Sequence, residues 1–365
     1  MKKTLLVSLA AFLLITRSVP ADTAQTLPQG MGRMYAAPTF FFVPGHYDND
    51  MIYNPYGPGE GRTVGGNLGL AAEYGILDWW TVALRWAPGW NFASTIDLNN
   101  TSSSGGHTYA DGNEYSANGV ADIQLGFRFL LAGENAPVKS SAFRVSAAPG
   151  FKIPLSGPDF KSEYARFNKN IRDYFVAYGV YDQIPGGTVP VPRYGRYFMA
   201  NLDKHVWSFS FRFNVDYVFG ENFYLGFHTE FEKYISSLDA NAYSFEWAGS
   251  PEGARVDFGY KLAFELEPVY VKMSGRNMFT LGLPLTVTTM PPVVATYENR
   301  RVTFLERQFL FGIMPRVSYM TYLGPLPVEL ELNYNLPVMG RNYAAQNSVT
   351  LLFKVYFGIP GAMKK

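Results

Sequence analysis

The sequence predicts an all-β protein: a transmembrane antiparallel up-and-down β-barrel of about 12 strands, with long extracellular loops and short periplasmic turns. Segments of two-residue alternation recur along the chain, the clearest about 12 residues long and roughly twice the usual soluble strand. The connections between them are short and long by turns. An export signal stands in front of the first segment.

Residues 206–234 show the pattern most clearly. Phe209, Phe211, Phe213, Val215, Tyr217 and Phe219 share one face, and Ser208, Ser210, Arg212, Asn214 and Asp216 share the other. After a Gly220-Glu221-Asn222 turn, Phe223, Leu225, Phe227 and Phe231 oppose Tyr224, Gly226, His228, Glu230 and Glu232. At about 3.3 Å per residue and a tilt near 40°, such a strand spans roughly 30 Å, enough to cross a bilayer.

The N-terminus carries Lys2 and Lys3, an apolar run over 5–15, and then Val19-Pro20-Ala21. That is the form of a secretory signal peptide, expected over 1–21. Residues 22–33 read as a polar periplasmic lead, 34–357 as the barrel and 358–365 as a short periplasmic tail. Aromatic residues make up 16% of the chain and the net charge is +1. Nothing there argues for nucleic acid or a polybasic anchor. With no cysteine there is no disulfide and no thiolate metal site.

Taken in order, the expected strands begin with 34–44, where alternation is poor because Phe40, Phe41 and Phe42 are consecutive. Strands at 63–74 and 79–90 flank a Gly75-Ile76-Leu77-Asp78 turn, with Arg85 on the polar side of the second. In 119–131, Asp122, Gln124 and Arg128 face inward; in the strand from 143 to 153, Arg144, Ser146 and Lys152 do. The paired strands of 206–234 follow. Asp257, Lys261, Glu265 and Glu267 mark the inner face of the next strand, which begins near Val256. The remaining strands are expected from Phe279, over 303–322, from Val328 with Glu329 and Glu331 inside, and over 348–357 with Lys354 inside. Pro149, Pro268, Pro284 and Pro315 fall within predicted strands, where each deletes a ladder donor and must mark a bulge, a bend or a strand end. Arg307 takes a lipid-facing phase unless it stands above the membrane.

Energetics fix which face is which. A cation on the lipid side at the midplane costs about 2–4 kcal/mol. A one-residue slip would expose Arg85, Arg128, Arg144, Arg212 and Lys261 together. The polar faces therefore line a lumen.

Candidate pore-lining residues are Arg85, Asp122, Arg128, Arg144, Lys152, Arg212, Asp216, His228, Glu230, Glu232, Lys261, Glu265 and Glu267. Bases dominate the earlier strands and acids the later ones. Two arcs facing across the lumen would set up a transverse field; local cross-strand pairs, such as Glu329 or Glu331 with Lys354, are the plainer alternative. In the long connection after residue 153, Phe160, Tyr164, Phe167, Ile171 and Tyr174 recur at three- and four-residue steps. They form one face of a candidate gating helix or of a surface cap. His46 with Asp48 and Asp50 is a loop cluster better explained by turn chemistry. No catalytic spacing is visible, so the expectation is a non-enzyme with no cofactor and no metal site.

Two stretches resemble a known family. Gly119-Val120-Ala121-Asp122-Ile123-Gln124-Leu125-Gly126-Phe127-Arg128-Phe129 is similar to the Gly-x-x-Asp-x-x-x-Gly strand of the outer-membrane family associated with phenol meta-pathway degradation. Ala148-Pro149-Gly150-Phe151-Lys152-Ile153-Pro154 resembles the strand that follows it there, and the Tyr74-Gly75-Ile76-Leu77-Asp78 turn is similar too. That family is grouped with channels for long-chain fatty acids and other hydrophobic compounds. The resemblance implies a transporter-like barrel in the outer membrane of a diderm bacterium. The Asn-Pro-Ala plug motif of fatty-acid channels is not evident, since Asn54-Pro55-Tyr56 lies in a loop. The expected function is passive diffusion of small solutes, hydrophobic or amphipathic ones included; a closed barrel serving as a surface binding or adhesion scaffold is the alternative. Expected partners are outer-membrane lipid, a small-molecule solute, and the barrel-assembly machinery through the last strand ending at Phe357.

Overall fold

The computed structural model describes residues 24–56, 62–87, 92–96, 101–104, 107–110, 122–155, 206–239, 255–297, 300–324 and 326–358. Twelve antiparallel strands close on themselves. They are β1 (Met31–Val43), β2 (Arg62–Leu77), β3 (Trp80–Trp86, continued by Phe92–Ile96), β4 (Ile123–Ala132), β5 (Phe143–Ile153) and β6 (Ser208–Phe219). The circuit continues with β7 (Phe223–Tyr234), β8 (Tyr260–Ser274), β9 (Asn277–Gly282 and Leu285–Met290), β10 (Gln308–Ile313 and Arg316–Leu323), β11 (Leu326–Arg341) and β12 (Asn347–Gly358). Each strand pairs with its sequence neighbours, and β12 pairs with β1 from Met31↔Gly358 to Phe42↔Asn347, which closes the cylinder.

Closure removes the unpaired edges that an open sheet of this size would present. It also separates two environments. Along β11, Leu330, Leu332, Tyr334, Leu336 and Val338 are exposed, while Glu329, Glu331, Asn333 and Asn335 are buried. A water-soluble protein has this arrangement reversed. Phe211, Phe227, Phe231, Phe264, Leu281, Leu351 and Phe353 continue the exposed apolar belt around the outside. Only hydrocarbon covers such a surface without penalty.

The strands expected to be irregular show why they are. In β1, Tyr35, Ala37, Phe41 and Val43 share the inward phase with Arg33 and Thr39, so the inner wall there is mostly apolar and the alternation is hidden in the sequence. The strand expected from Val256 divides instead: Arg255–Asp257 belongs to a separate four-stranded sheet with Leu238–Asp239, Val293–Tyr297 and Arg300–Leu305. Gly259, at φ +68°, makes the bend before β8. The same sheet takes the first part of the strand expected over 303–322. Arg307 lies in the connection between that sheet and β10, and its carbonyl accepts from Asn342.

The prolines form a seam. Pro284 divides β9 and Pro315 divides β10, while Pro268 sits within β8. Leu283 N donates to Pro268 O (3.2 Å), Met314 N to Pro284 O (2.9 Å) and Tyr334 N to Pro315 O (3.0 Å). The missing donors are thus gathered at one level of three adjacent strands. Pro149 lies in a gap of the β4–β5 ladder, between Ala147↔Phe129 and Gly150↔Gly126.

The described part of the lead expected over 22–33 bonds to barrel residues from Ala24 onward, and Met31 already belongs to β1. Ala24 is fully buried, and its N–H donates to Asp216 Oδ2 at 2.9 Å. Leu27 N donates to Thr81 Oγ1, and Gly30 N to Gly75 O. A Cβ on Gly75 would stand 2.2 Å from Pro28 O, so the glycine makes room for the segment. Residues 1–23, proposed as containing the signal peptide, lie outside the described residues, as does the tail after 358.

Candidate functional site

The candidate site is the lumen, built by the inward-pointing residue of every second position. On the β8–β12 side the charges are locked in pairs. Lys354 Nζ lies 3.1 Å from Glu329 Oε1 and also binds Glu331 Oε2, and Tyr356 Oη donates to Glu329 Oε2 at 2.6 Å. The expected Glu329/Glu331–Lys354 pairing is present. Arg316 Nε binds Glu267 Oε1, and its Nη1 stands 4.0 Å from Glu331 Oε1. These groups are nearly sealed from solvent, Glu331 being 2% exposed.

Along β5–β8 the charges are paired as well, with burial that varies from pair to pair. Lys261 Nζ reaches Glu230 Oε1 at 2.9 Å and Glu232 Oε2 at 3.4 Å, and Lys152 Nζ lies 3.4 Å from Glu232 Oε1. The side chains of Lys261 and Glu230 keep 16% exposure and that of Arg144 keeps 26%, although all three point into the cylinder. Arg33 binds Glu73, and Arg85 and Arg128 also face that carboxylate. Arg212 stands close enough to repel Arg128. Guanidinium groups thus outnumber acids over β1, β3, β4 and β6, while Tyr35, Ala37, Ala71 and Leu352 form a small apolar patch next to them.

The lumen reading brings Arg85, Arg128, Arg212, Lys152, Glu230, Glu232 and Lys261 onto one inner wall. Asp122 sits higher, where its Oδ1 accepts from Leu155 N at 3.1 Å. Asp216 anchors the N-terminal segment and lies 4.0 Å from Arg144. His228 Nε2 lies 3.9 Å from Glu265 Oε1. The two-arc field is thus reduced by local pairing on the acidic side, and a basic surplus remains on the other. Phe160, Tyr164, Phe167, Ile171 and Tyr174 lie outside the described residues. Asp48, in the cluster with His46, accepts from Asp50 N and Ile52 N at 2.9 Å each, which is turn chemistry. Sequence reasoning missed Glu73, Arg33 and the N-terminal segment. Only Glu73 had a signal, a lone acid within the alternating strand 63–74.

No protein-family model matches this sequence, and no curated protein matches it either. Among solved structures, an outer membrane channel from Pseudomonas putida F1 superposes with a TM-score of 0.58, covering 93% of this chain and 100% of that one at 13% identity. This chain has the fold of an outer-membrane β-barrel. The NanC porin (TM-score 0.39, 8% identity, 89% of this barrel and 100% of that chain) and the P. putida toluene transporter TodX (0.34, 9%, 91% of each) are far more distant. The barrel's apolar belt and charged interior agree with that fold.

Proposed function

We propose that the barrel is an outer-membrane channel through which small solutes diffuse passively, and that amphipathic solutes with an anionic group are favoured. The observation that carries this is the partly exposed inner wall of β1–β6, where Arg33, Arg85, Arg128, Arg144 and Arg212 outnumber Glu73 and Asp216. An anionic head would meet the guanidinium groups of that wall. Nothing in such a path requires covalent chemistry or an energy source. The N-terminal segment narrows the periplasmic mouth and sets the resistance of the path. Purified protein in planar bilayers should conduct, and a salt gradient should give a reversal potential on the anion-selective side. Arg128→Gln should shift that potential towards zero. Absence of conductance, together with no solute uptake into liposomes, would refute the proposal.

A second reading is favoured by the seated N-terminal segment and the sealed pairs on β8–β12: a closed barrel whose long loops bind at the cell surface. It predicts no conductance, and loss of binding once residues 158–197 are deleted. The last strand, ending near Phe357, is proposed as the element that the barrel-assembly machinery engages.

A further inference from the structure

His228 on β7 and Glu265 on β8 are direct cross-strand partners on the inner face, and Glu267 follows two residues on, opposite Gly226. A Cβ at Gly226 would fall 2.8 Å from His228 Nε2, so the imidazole lies over the glycine. Asp216 Oδ1 borders the same point at 3.6 Å. One ligand atom from each of His228, Glu265 and Glu267 then lies within 4.8 Å of the others.

The hydrogen bonds decide what His228 offers. Asn214 Nδ2 donates to Ser146 Oγ at 3.0 Å, which leaves Asn214 Oδ1 as the acceptor 3.0 Å from His228 Nδ1. That network assigns the proton to Nδ1 and a lone pair to Nε2. His228 is 2% exposed, and neither its Nε2 nor Glu265 Oε1 has a hydrogen-bond partner among the described residues. Two electron-rich atoms thus face each other across 3.9 Å inside the wall. A positive centre between them resolves the conflict. An imidazole pinned at its far nitrogen by a carbonyl oxygen is the way metal-binding histidines are oriented. Arg316 holds Glu267 through Oε1 in a comparable supporting role.

We propose that His228, Glu265 and Glu267 bind a divalent transition-metal cation of the Zn2+ or Co2+ kind, bridging β7 and β8 on the lumen wall. One imidazole nitrogen with two carboxylate oxygens suits those ions, whereas a site for a softer ion would carry sulfur and one for Mg2+ or Ca2+ oxygen alone. The site is independent of whether the lumen conducts, so binding rather than conductance is the readout. Untagged, metal-free full-length mature protein in detergent micelles would be titrated with CoCl2 and followed by its visible absorption, then with ZnCl2 as competitor. One Co2+ per chain is expected, displaced by Zn2+. His228→Gln should abolish the absorption, and Glu265→Gln should weaken binding at least about tenfold. Heat-modifiable gel mobility reports folding of each variant. Absence of saturable Co2+ binding, or the same binding in folded His228→Gln, would overturn the proposal. Should His228→Gln fail to fold, unchanged Co2+ affinity in Glu265→Gln overturns it equally.

Discussion

Replacing Lys354 with methionine tests whether the β10–β12 side of the lumen is sealed. The ammonium meets Glu329 and Glu331, which are 6% and 2% exposed, so its loss strands two carboxylates in a wall closed to bulk water. Removing one partner of a buried pair costs roughly 3–5 kcal/mol. Two contacts soften this loss: Glu329 keeps the Tyr356 hydroxyl at 2.6 Å, and Glu331 keeps Arg316 at 4.0 Å. The expected loss is therefore about 3 kcal/mol, near the lower end of that range. The assay is reversible urea unfolding in lipid vesicles, read by tryptophan fluorescence and by gel mobility. Adding Glu329→Gln and Glu331→Gln to Lys354→Met removes the stranded charges and should recover most of the loss. A cost below about 1 kcal/mol for Lys354→Met alone is what a hydrated surface pair gives. That result would refute the sealed wall and place water on this side.

Leu332→Arg puts a cation on the lipid face midway along β11 and should cost about 2–4 kcal/mol in the same vesicles; a neutral result would deny that this face meets hydrocarbon. Gly75→Ala drives a methyl into Pro28 O and should expel the N-terminal segment, raising single-channel conductance. Unchanged conductance in a folded Gly75→Ala barrel would show that the segment is no obstruction. In the loop after β1, the Ile52 N–H, helped by Asn54 and Asp50, holds the Asp48 carboxyl below the usual aspartate range. The stabilisation is present above the unfolded pKa and is lost as pH falls through the lowered folded value. Amide exchange at Ile52 should therefore quicken in strongly acidic buffer relative to its own pH baseline. Asp48→Ala should show that quickening at neutral pH; exchange indifferent to both would discard the loop assignment.

The strand pattern was legible wherever a strand has unlike neighbours on its two sides. Leu330, Leu332 and Tyr334 against Glu329, Glu331 and Asn333 leave no other facing, and the Lys354 pairing follows from adjacent strands in an up-and-down order. Strand β1 was hard to read because its inner face beyond Arg33, with Tyr35, Ala37 and Phe41, is itself mostly apolar. Residues 255–257 and 300–305 alternate like barrel strands yet belong to a sheet of their own, a choice made by partners rather than by local pattern.

The sequence by itself determined the barrel class and the facing of most strands, because a two-residue period between water and hydrocarbon carries an energy that no local rearrangement offsets. The tertiary structure alone decided which charges meet. Register sets His228 against Glu265 and lines up Pro268, Pro284 and Pro315, and closure gives Ala24 an Asp216 to bind from 192 residues away. Those contacts depend on where neighbouring strands stop sliding past one another, and that position is fixed by the whole closed sheet rather than by any one segment.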